Sequence, residues 1–409
     1  MSSSTDVAAL TRRFVEIDAT NPSLVAGGAG ERELAEVVAA WLDERGFEVR
    51  LVGADPERPS VLARRRGSGG GRTLLLAGHL DTVGGVGAGA GTGGRAGDDG
   101  SVAGLRADGA ADAAPDRILG RGAYDMAGGL AAAMVAAATA PDGLPGDVVL
   151  AFAADEEFGS LGMEELLAAI RAQAARPEGA DRRPDGAVVL EPTDLGVTLA
   201  HRGFAWYRVE YDGVAAHGSQ PDLGVDAIER ALDGLLALRA FGRELAARPR
   251  HPLLGTGSVR VATIDGGTDA ATVADRCVLV VERRTLPGDA DPGAELERVL
   301  AASEPSRIVR VVSRPAMEAG AGAAIVRSVL DGVERVTGAP ADRRGDPWWT
   351  DAGLIADAGI PVVLVGPIGG GAHADEEWVS IASLEALTDV IGRVIGDFCA
   401  ATDDRDPAR

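Results

Sequence analysis

The chain has 409 residues, with 62 acidic against 40 basic side chains and a formal charge of −22. That length exceeds what one ordinary core organises, so two domains are expected, and 46% hydrophobic residues suffice for packed interiors. The charge counts against nucleic acid or anionic membrane as a partner, since both reward Lys and Arg surfaces.

In chain order, helical periodicity covers about residues 7–17 and 31–45, the second ending at Gly46 as a C-cap would. Apolar runs over 48–52, 60–63 and 73–77 predict strands. From Gly84 to about Asp116 the Gly/Ala/Asp-rich chain has no usable periodicity and predicts a mobile loop or insertion. Its GxGxxG spacing at Gly89, Gly91 and Gly94 precedes no helix and is a chance match. A small-residue helix after Asp125, a strand over 147–153, a helix over 163–173 and a strand over 186–190 follow. This alternation predicts α/β layers.

From about Leu199 the pattern changes to a strand at 204–211, a helix at 225–243, strands at 258–264 and 278–285, a helix at 293–302 and a strand at 307–312. That is the β-α-β-β-α-β order of a ferredoxin-like unit. Helices at 323–336 and 351–357, a strand at 361–365 and a last helix from Ser380 return to the first pattern. The expected fold is α/β: a catalytic domain with helices on both sheet faces, residues 1–198 and 315–409, interrupted by an inserted ferredoxin-like domain over 199–314.

All the basic residues are Arg, which removes a phosphate-binding Walker lysine, a Schiff-base lysine and a Ser-Lys pair. Two cysteines, Cys277 and Cys399, make neither a disulfide framework nor a Cys-rich zinc site. No G-x-S-x-G elbow is present, against a serine hydrolase. The opening "MSSSTDVAALTRRFVEIDAT" has no apolar signal core and no run approaches a membrane span, so a cytoplasmic location is expected.

Five histidines remain to be weighed. His79 ends an apolar strand in "LLLAGHLDTV", with Asp81 two positions on and on the same side of an extended chain. Asp81 can accept one ring N–H while the other nitrogen binds a metal; a hydrogen-bonded pair at a strand end is equally consistent. Asp125 sits in the glycine turn "GRGAYDMAGG", where it can serve as a helix cap. Asp155, Glu156 and Glu157 follow a strand in "AADEEFGS", Glu191 follows another in "AVVLEPTDL", and His373 follows the glycine loop of "GGGAHADEEW". Singly each suits a solvated loop. Together they lie past the C-terminal ends of strands, where open α/β sheets place their sites. Clustered carboxylates there call for cations, and mixed His and carboxylate ligands without Cys suit a pair of zinc-like ions.

At these motifs the sequence resembles the M20 family of metallopeptidases and deacylases, over nearly the whole chain and in the right order. The resemblance implies two divalent ions, zinc first and cobalt or manganese as alternatives. His79 and Glu191 would hold one ion and Glu157 and His373 the other, with Asp125 bridging them and a cis peptide after Asp125. Asp81 would support His79. Glu156 would be the general base, taking a proton from a water held between the ions. "VAAHGSQPDLGVDAI" resembles the lid motif whose His, here His217, helps stabilise the oxyanion, often across a dimer interface. "VERRTLPGD" resembles the segment whose Arg, here Arg284, binds a substrate carboxylate through its planar fork. The same resemblance implies a homodimer through the inserted domain and a small amino-acid-like or dipeptide substrate.

Three positions depart from the family pattern. Ala127 replaces the Lys of Asp-Met-Lys-Gly-Gly, and in "GGTDAATVADRC" Ala271 and Ala274 replace an Asn and a Pro. The leading expectation is a two-metal hydrolase of N-acyl amino acids or small peptides. The alternative is a non-catalytic or highly divergent metal-binding member with altered specificity. Trp348 and Trp349 either line a pocket or pack in an interior. His201 reads as structural, and His251 has no assigned role.

Overall fold

The computed structural model describes residues 6–85, 115–175 and 183–401; the glycine spacing at Gly89, Gly91 and Gly94 lies outside them. The first stretch forms α1 (Val7–Val15), α2 (Arg32–Asp43), β1 (Glu48–Val52), β2 (Ser60–Arg65), β3 (Leu74–His79), β4 (Arg117–Leu119), α3 (Gly128–Thr139), β5 (Val148–Ala153), α4 (Leu161–Ala174), β6 (Gly186–Val189) and β7 (Val197–His201). Then come β8 (Gly203–Asp212), α5 (Ala227–Ala247), β9 (Ser258–Gly266), β10 (Arg276–Thr285), α6 (Pro292–Leu300), β11 (Arg307–Arg314) and β12 (Met317–Glu318). The last stretch supplies α7 (Ala324–Thr337), β13 (Arg343–Asp346), α8 (Ala352–Asp357), β14 (Val362–Leu364), β15 (Gly369–Gly370), β16 (Trp378–Ser380) and α9 (Ile381–Ala400). Two compact units result, drawn from the described residues of Met1–Leu199, Ala319–Arg344 and Thr350–Arg409, and of Ala200–Glu318 and Gly345–Trp349.

In the first unit the sheet runs β1-β2-β5-β3-β6-β14-β7. Its centre, β5-β3-β6-β14, is parallel, which explains why "LLLAGH" and "VVLAFA" are buried at every position rather than alternately. Leu74, Leu76, Val148, Leu150 and Phe152 join one core with α1, α3, α7 and α9. The alternate Leu75, Val149 and Ala151, equally buried, point to the opposite face, where α4 lies against β5. Helices therefore cover both faces, as the expected α/β class requires.

One close approach brings two site segments together. A side chain on Gly129, in the first turn of α3, would put its Cβ 2.2 Å from the carbonyl oxygen of Leu190. Only glycine lets the turn carrying Asp125 lie against the end of β6, where Glu191 emerges. A small antiparallel sheet, β15-β16-β4, sets residues 117–119 beside 378–380.

The second unit is an antiparallel sheet in the order β11-β8-β10-β9. Chain order β8-α5-β9-β10-α6-β11 gives the split β-α-β arrangement. Tyr207, Val209, Tyr211, Cys277, Leu279 and Val281 pack with Ala227, Ala231 and Leu238 of α5 and with Leu296 and Leu300 of α6.

Candidate metal centre

Five chain segments deliver the site. His79 is the last residue of β3 and is 2% exposed; Glu191 lies two residues past β6 and is 5% exposed. Glu156 and Glu157 follow β5, after Asp155 has turned the chain with a φ of 67°. Asp125 precedes α3, at a cis Asp125–Met126 peptide, and His373 adopts a φ of 62° between β15 and β16.

These side chains converge. His79 Nε2 is 3.0 Å from Asp125 Oδ1 and 3.8 Å from Glu191 Oε1. His373 Nε2 is 3.4 Å from Asp125 Oδ2 and 3.1 Å from the Glu157 carboxylate. Asp125 thus faces both imidazoles, one with each oxygen. Ligand atoms of His79, Asp125 and Glu157 lie within 4.8 Å of one another, as do those of His79, Glu156 and Glu191.

Asp81 meets His79 through its main chain and not through its carboxylate. Its carboxylate stands 3.7 Å from His79 Nδ1, too far for a hydrogen bond. The ring N–H donates instead to the Asp81 main-chain carbonyl at 2.9 Å. The strand ends at His79, so the alternation that would align the two side chains is lost. With Nδ1 committed to that carbonyl, Nε2 is the nitrogen turned toward the site. The carboxylate of Asp81 accepts from the backbone N–H groups of Glu156 (3.0 Å) and Glu157 (3.1 Å) and from Asn21 Nδ2 (2.8 Å). The carboxylate thus orients the acidic turn, and the carbonyl of the same residue the histidine.

Asp155 is likewise not left to a metal. Arg58 Nη1 lies 3.0 Å from its carboxylate, while Nε and Nη2 of the same guanidinium grip both oxygens of the buried Glu31 at 3.0 and 2.5 Å. Glu31 in turn accepts the Asp155 N–H at 3.1 Å. Of the three acids after β5, one is answered by arginine and two face the histidines.

The charges do not balance among residues alone, since His79 and His373 oppose Asp125, Glu156, Glu157 and Glu191. Burial and the neighbouring carboxylates, above all Glu191, push Glu156 well above the usual carboxylate range against the pull of His79. Burial, with Asp125 and Glu157 nearby, does the same to Glu191. Burial opposes protonation of His79, but Glu191, Asp125 and Glu156 prevail and raise it well above its ordinary value. Hydrogen bonds to Asp125 and Glu157 raise His373 to about 10. Burial would raise Asp125, yet its bonds with His373 and His79 hold it below the usual range. A set with surplus negative charge and two imidazole nitrogens, buried at His79 and Glu191 and open to solvent at His373, fits divalent cations.

Glu377 was not singled out by sequence reasoning. It is 3% exposed and its carboxylate accepts from the backbone N–H groups of Gly122, Tyr124 and Asp125 and from Arg121. The run "HADEEW" advertises acids but not a partner some 250 positions away.

His217 and Arg284 belong to the second unit. His217 is exposed, and its Nδ1 accepts the Ser219 N–H at 3.2 Å, which places the ring proton on Nε2. Its loop pairs with the segment of Ala271, whose carbonyl accepts the Gly218 N–H at 2.6 Å. Arg284 is held by Glu282, at 3.1 Å from Nε and 2.9 Å from Nη2, and lies 5.3 Å from the centre of the Phe204 ring. Trp349 is half-buried, packs edge-on to Phe204 and donates to the Pro315 carbonyl at 2.9 Å. His201 is fully buried, donates from Nδ1 to the Arg202 carbonyl at 2.9 Å, and is pushed down to about 4 by burial.

The description of peptidase family M20/M25/M40 matches residues 75–397. An acetylornithine deacetylase of Myxococcus xanthus is 30% identical over 395 residues, covering 90% of this chain and 92% of that one. Among solved structures, an M20 metallo-carboxypeptidase from Sulfolobus solfataricus superposes with a TM-score of 0.73 at 16% identity, covering 97% of this chain and 100% of that one. A dinuclear metal-binding M20 peptidase from Bacillus subtilis gives 0.67 at 13% identity, covering 97% and 98%. With the family matched across most of its length, the chain belongs to peptidase family M20/M25/M40.

Proposed function

We propose that this protein is a two-metal amide hydrolase that acts on N-acyl amino acids or small peptides. The observation that carries the reading is the meeting of His79, Asp125, Glu157, Glu191 and His373 around a surplus of negative charge, with Glu156 beside them. His79, Asp125 and Glu191 would hold one ion and Asp125, Glu157 and His373 the other, zinc being favoured by the mixed His and carboxylate donors over cobalt or manganese. Ions bound there supply Lewis acidity toward an amide carbonyl and toward water.

The chain's own residues do the rest. Glu156, with its raised proton affinity, takes a proton from the attacking water and passes it to the leaving nitrogen. Asp81 holds the Glu156 backbone so that the carboxylate faces the site. His217 offers an Nε2–H to a developing oxyanion, and Arg284 offers its fork to a substrate carboxylate once Glu282 shares it. The name of the Myxococcus relative favours an N-acyl amino acid as substrate.

A second reading, a metal-binding member without turnover, is favoured by one observation: Ala271 presents only a methyl beside the His217 loop where an amide would donate. Assembly as a homodimer through the second unit is supported by Ile228, Leu232 and Leu236. They recur every four residues along α5 and are 43%, 52% and 53% exposed. No helix among the described residues is long and apolar enough to cross a membrane, and a cytoplasmic location is proposed. Metal stoichiometry together with hydrolysis of N-acetyl amino acids by wild type and Glu156→Ala tests the reading.

A further inference from the structure

We infer that Glu377 is a positioning residue that holds the half of the site made by Asp125, Glu157 and His373, an inference that rests on the metal reading of those residues. The two halves are anchored differently. His79 and Glu191 ride on the ends of β3 and β6, whose ladders are bonded on both sides. Asp125 and His373 sit outside any strand, Asp125 with φ −117° and ψ 90° and His373 with positive φ. Something other than a sheet ladder must set their separation.

Glu377 does so from a single carboxylate. Oε1 accepts the N–H groups of Tyr124 and of Asp125 itself, both at 3.0 Å; Oε2 accepts the Gly122 N–H and Arg121 Nη1, both at 2.9 Å. The same residue lies four positions after His373. Its own carbonyl accepts the Gly120 N–H at 2.9 Å, and Arg121 Nη2 donates to the Ala374 carbonyl at 2.8 Å, next to His373. The pairing of β4 with β16 brackets these contacts. Charge-assisted bonds to successive backbone donors are strong and directional. The loop of Asp125 and the loop of His373 are thereby fixed to each other, and with them the 3.4 Å between Asp125 Oδ2 and His373 Nε2. Glu377 touches no ligand side chain and acts through the backbone.

The test is Glu377→Gln, which turns an amide donor toward either the Tyr124 and Asp125 N–H groups or the Gly122 N–H and Arg121. Chelator-treated protein is titrated with Zn2+ by calorimetry and with Co2+ by visible absorption, alongside wild type. Val394→Ala, a truncation in the core face of α9, is the control for general loss of stability. Wild type is expected to take up two ions. Glu377→Gln is expected to bind the ion that Glu157 and His373 would hold at least about tenfold more weakly and the other, which shares only Asp125 with it, less so, with Co2+ absorption of the second step altered, whereas Val394→Ala binds both as wild type does. Two ions bound by Glu377→Gln at wild-type affinity, or equal weakening of both ions in Glu377→Gln and Val394→Ala, overturns the inference. A wild type that binds fewer than two ions overturns the metal reading beneath it, a result visible without any variant. If Glu377→Gln does not fold, Arg121→Gln removes one bond to Glu377 and the bond to Ala374. The same selective weakening is then expected, and unchanged affinity for both ions is again fatal.

Discussion

Arg58→Met removes the cation behind the acidic turn. The guanidinium contacts Glu31 at 3.0 and 2.5 Å, Asp155 at 3.0 Å, Ser23 Oγ at 2.9 Å and Asn21 Oδ1 at 3.1 Å. Glu31 is 0% and Asp155 3% exposed, so neither carboxylate can turn to water when its partner is lost. Stranding one member of a buried pair costs about 3–5 kcal/mol, a large part of the roughly 5–15 kcal/mol that stabilises a domain. Glu31→Gln added to Arg58→Met takes away one stranded charge, so the pair is expected to be less destabilised than the sum of the singles by about 1–3 kcal/mol. Urea unfolding of wild type, both singles and the double gives the cycle. Turnover is expected to fall too, because Asp155 leads directly into Glu156. A loss below about 1 kcal/mol for Arg58→Met, or strict additivity, would refute the claim that this arginine neutralises the turn.

Asp81→Asn leaves an amide donor against at least one backbone N–H of the Glu156–Glu157 turn. It is expected to cost about 1–3 kcal/mol in urea unfolding and to lower kcat by about 10–100-fold with little change in KM; unchanged kcat would contradict an orienting role. His201 is neutral in the fold because burial depresses its pKa to about 4, so its contribution is present above the unfolded value near 6.5 and is lost as pH falls through 4. Between pH 7 and pH 4.5 wild type should lose about 2–3 kcal/mol more than His201→Asn, and equal losses would show that this histidine is not buried neutral. Leu232→Glu, in the exposed stripe of α5, is expected to convert a dimer to monomer in sedimentation without altering metal content, whereas an unchanged mass would remove α5 from any interface.

Much of the first unit was legible because buried parallel strands write uninterrupted apolar runs, as in residues 74–79 and 148–153. At or just past the ends of these strands and β6 lie His79, Glu156, Glu157 and Glu191, while Asp125 and His373 stood out in glycine-rich turns, and the family resemblance supplied the roles. Short pieces were missed: β4, β15 and β16 have two or three residues each, too few for any period to register. Asp81 meets His79 by its carbonyl rather than its carboxylate, since parity along a strand no longer applies once the strand has ended at His79. Arg58, Glu31 and Glu377 stayed invisible for another reason. Their partners are far off in sequence, and an acidic or basic residue in a polar stretch carries no local mark of being buried. Arg284 shows the converse, because a motif match cannot reveal that Glu282 already holds the guanidinium.

The most direct test of the metal reading is the metal content of purified wild type and Glu156→Ala, with hydrolysis of N-acetyl amino acids and dipeptides measured on the same samples. Two divalent ions are expected in both proteins, with turnover in wild type and turnover lost in Glu156→Ala while both ions remain. Protein that takes up no Zn2+ or Co2+ even when supplied with them, or a Glu156→Ala variant that hydrolyses as fast as wild type, would contradict this reading.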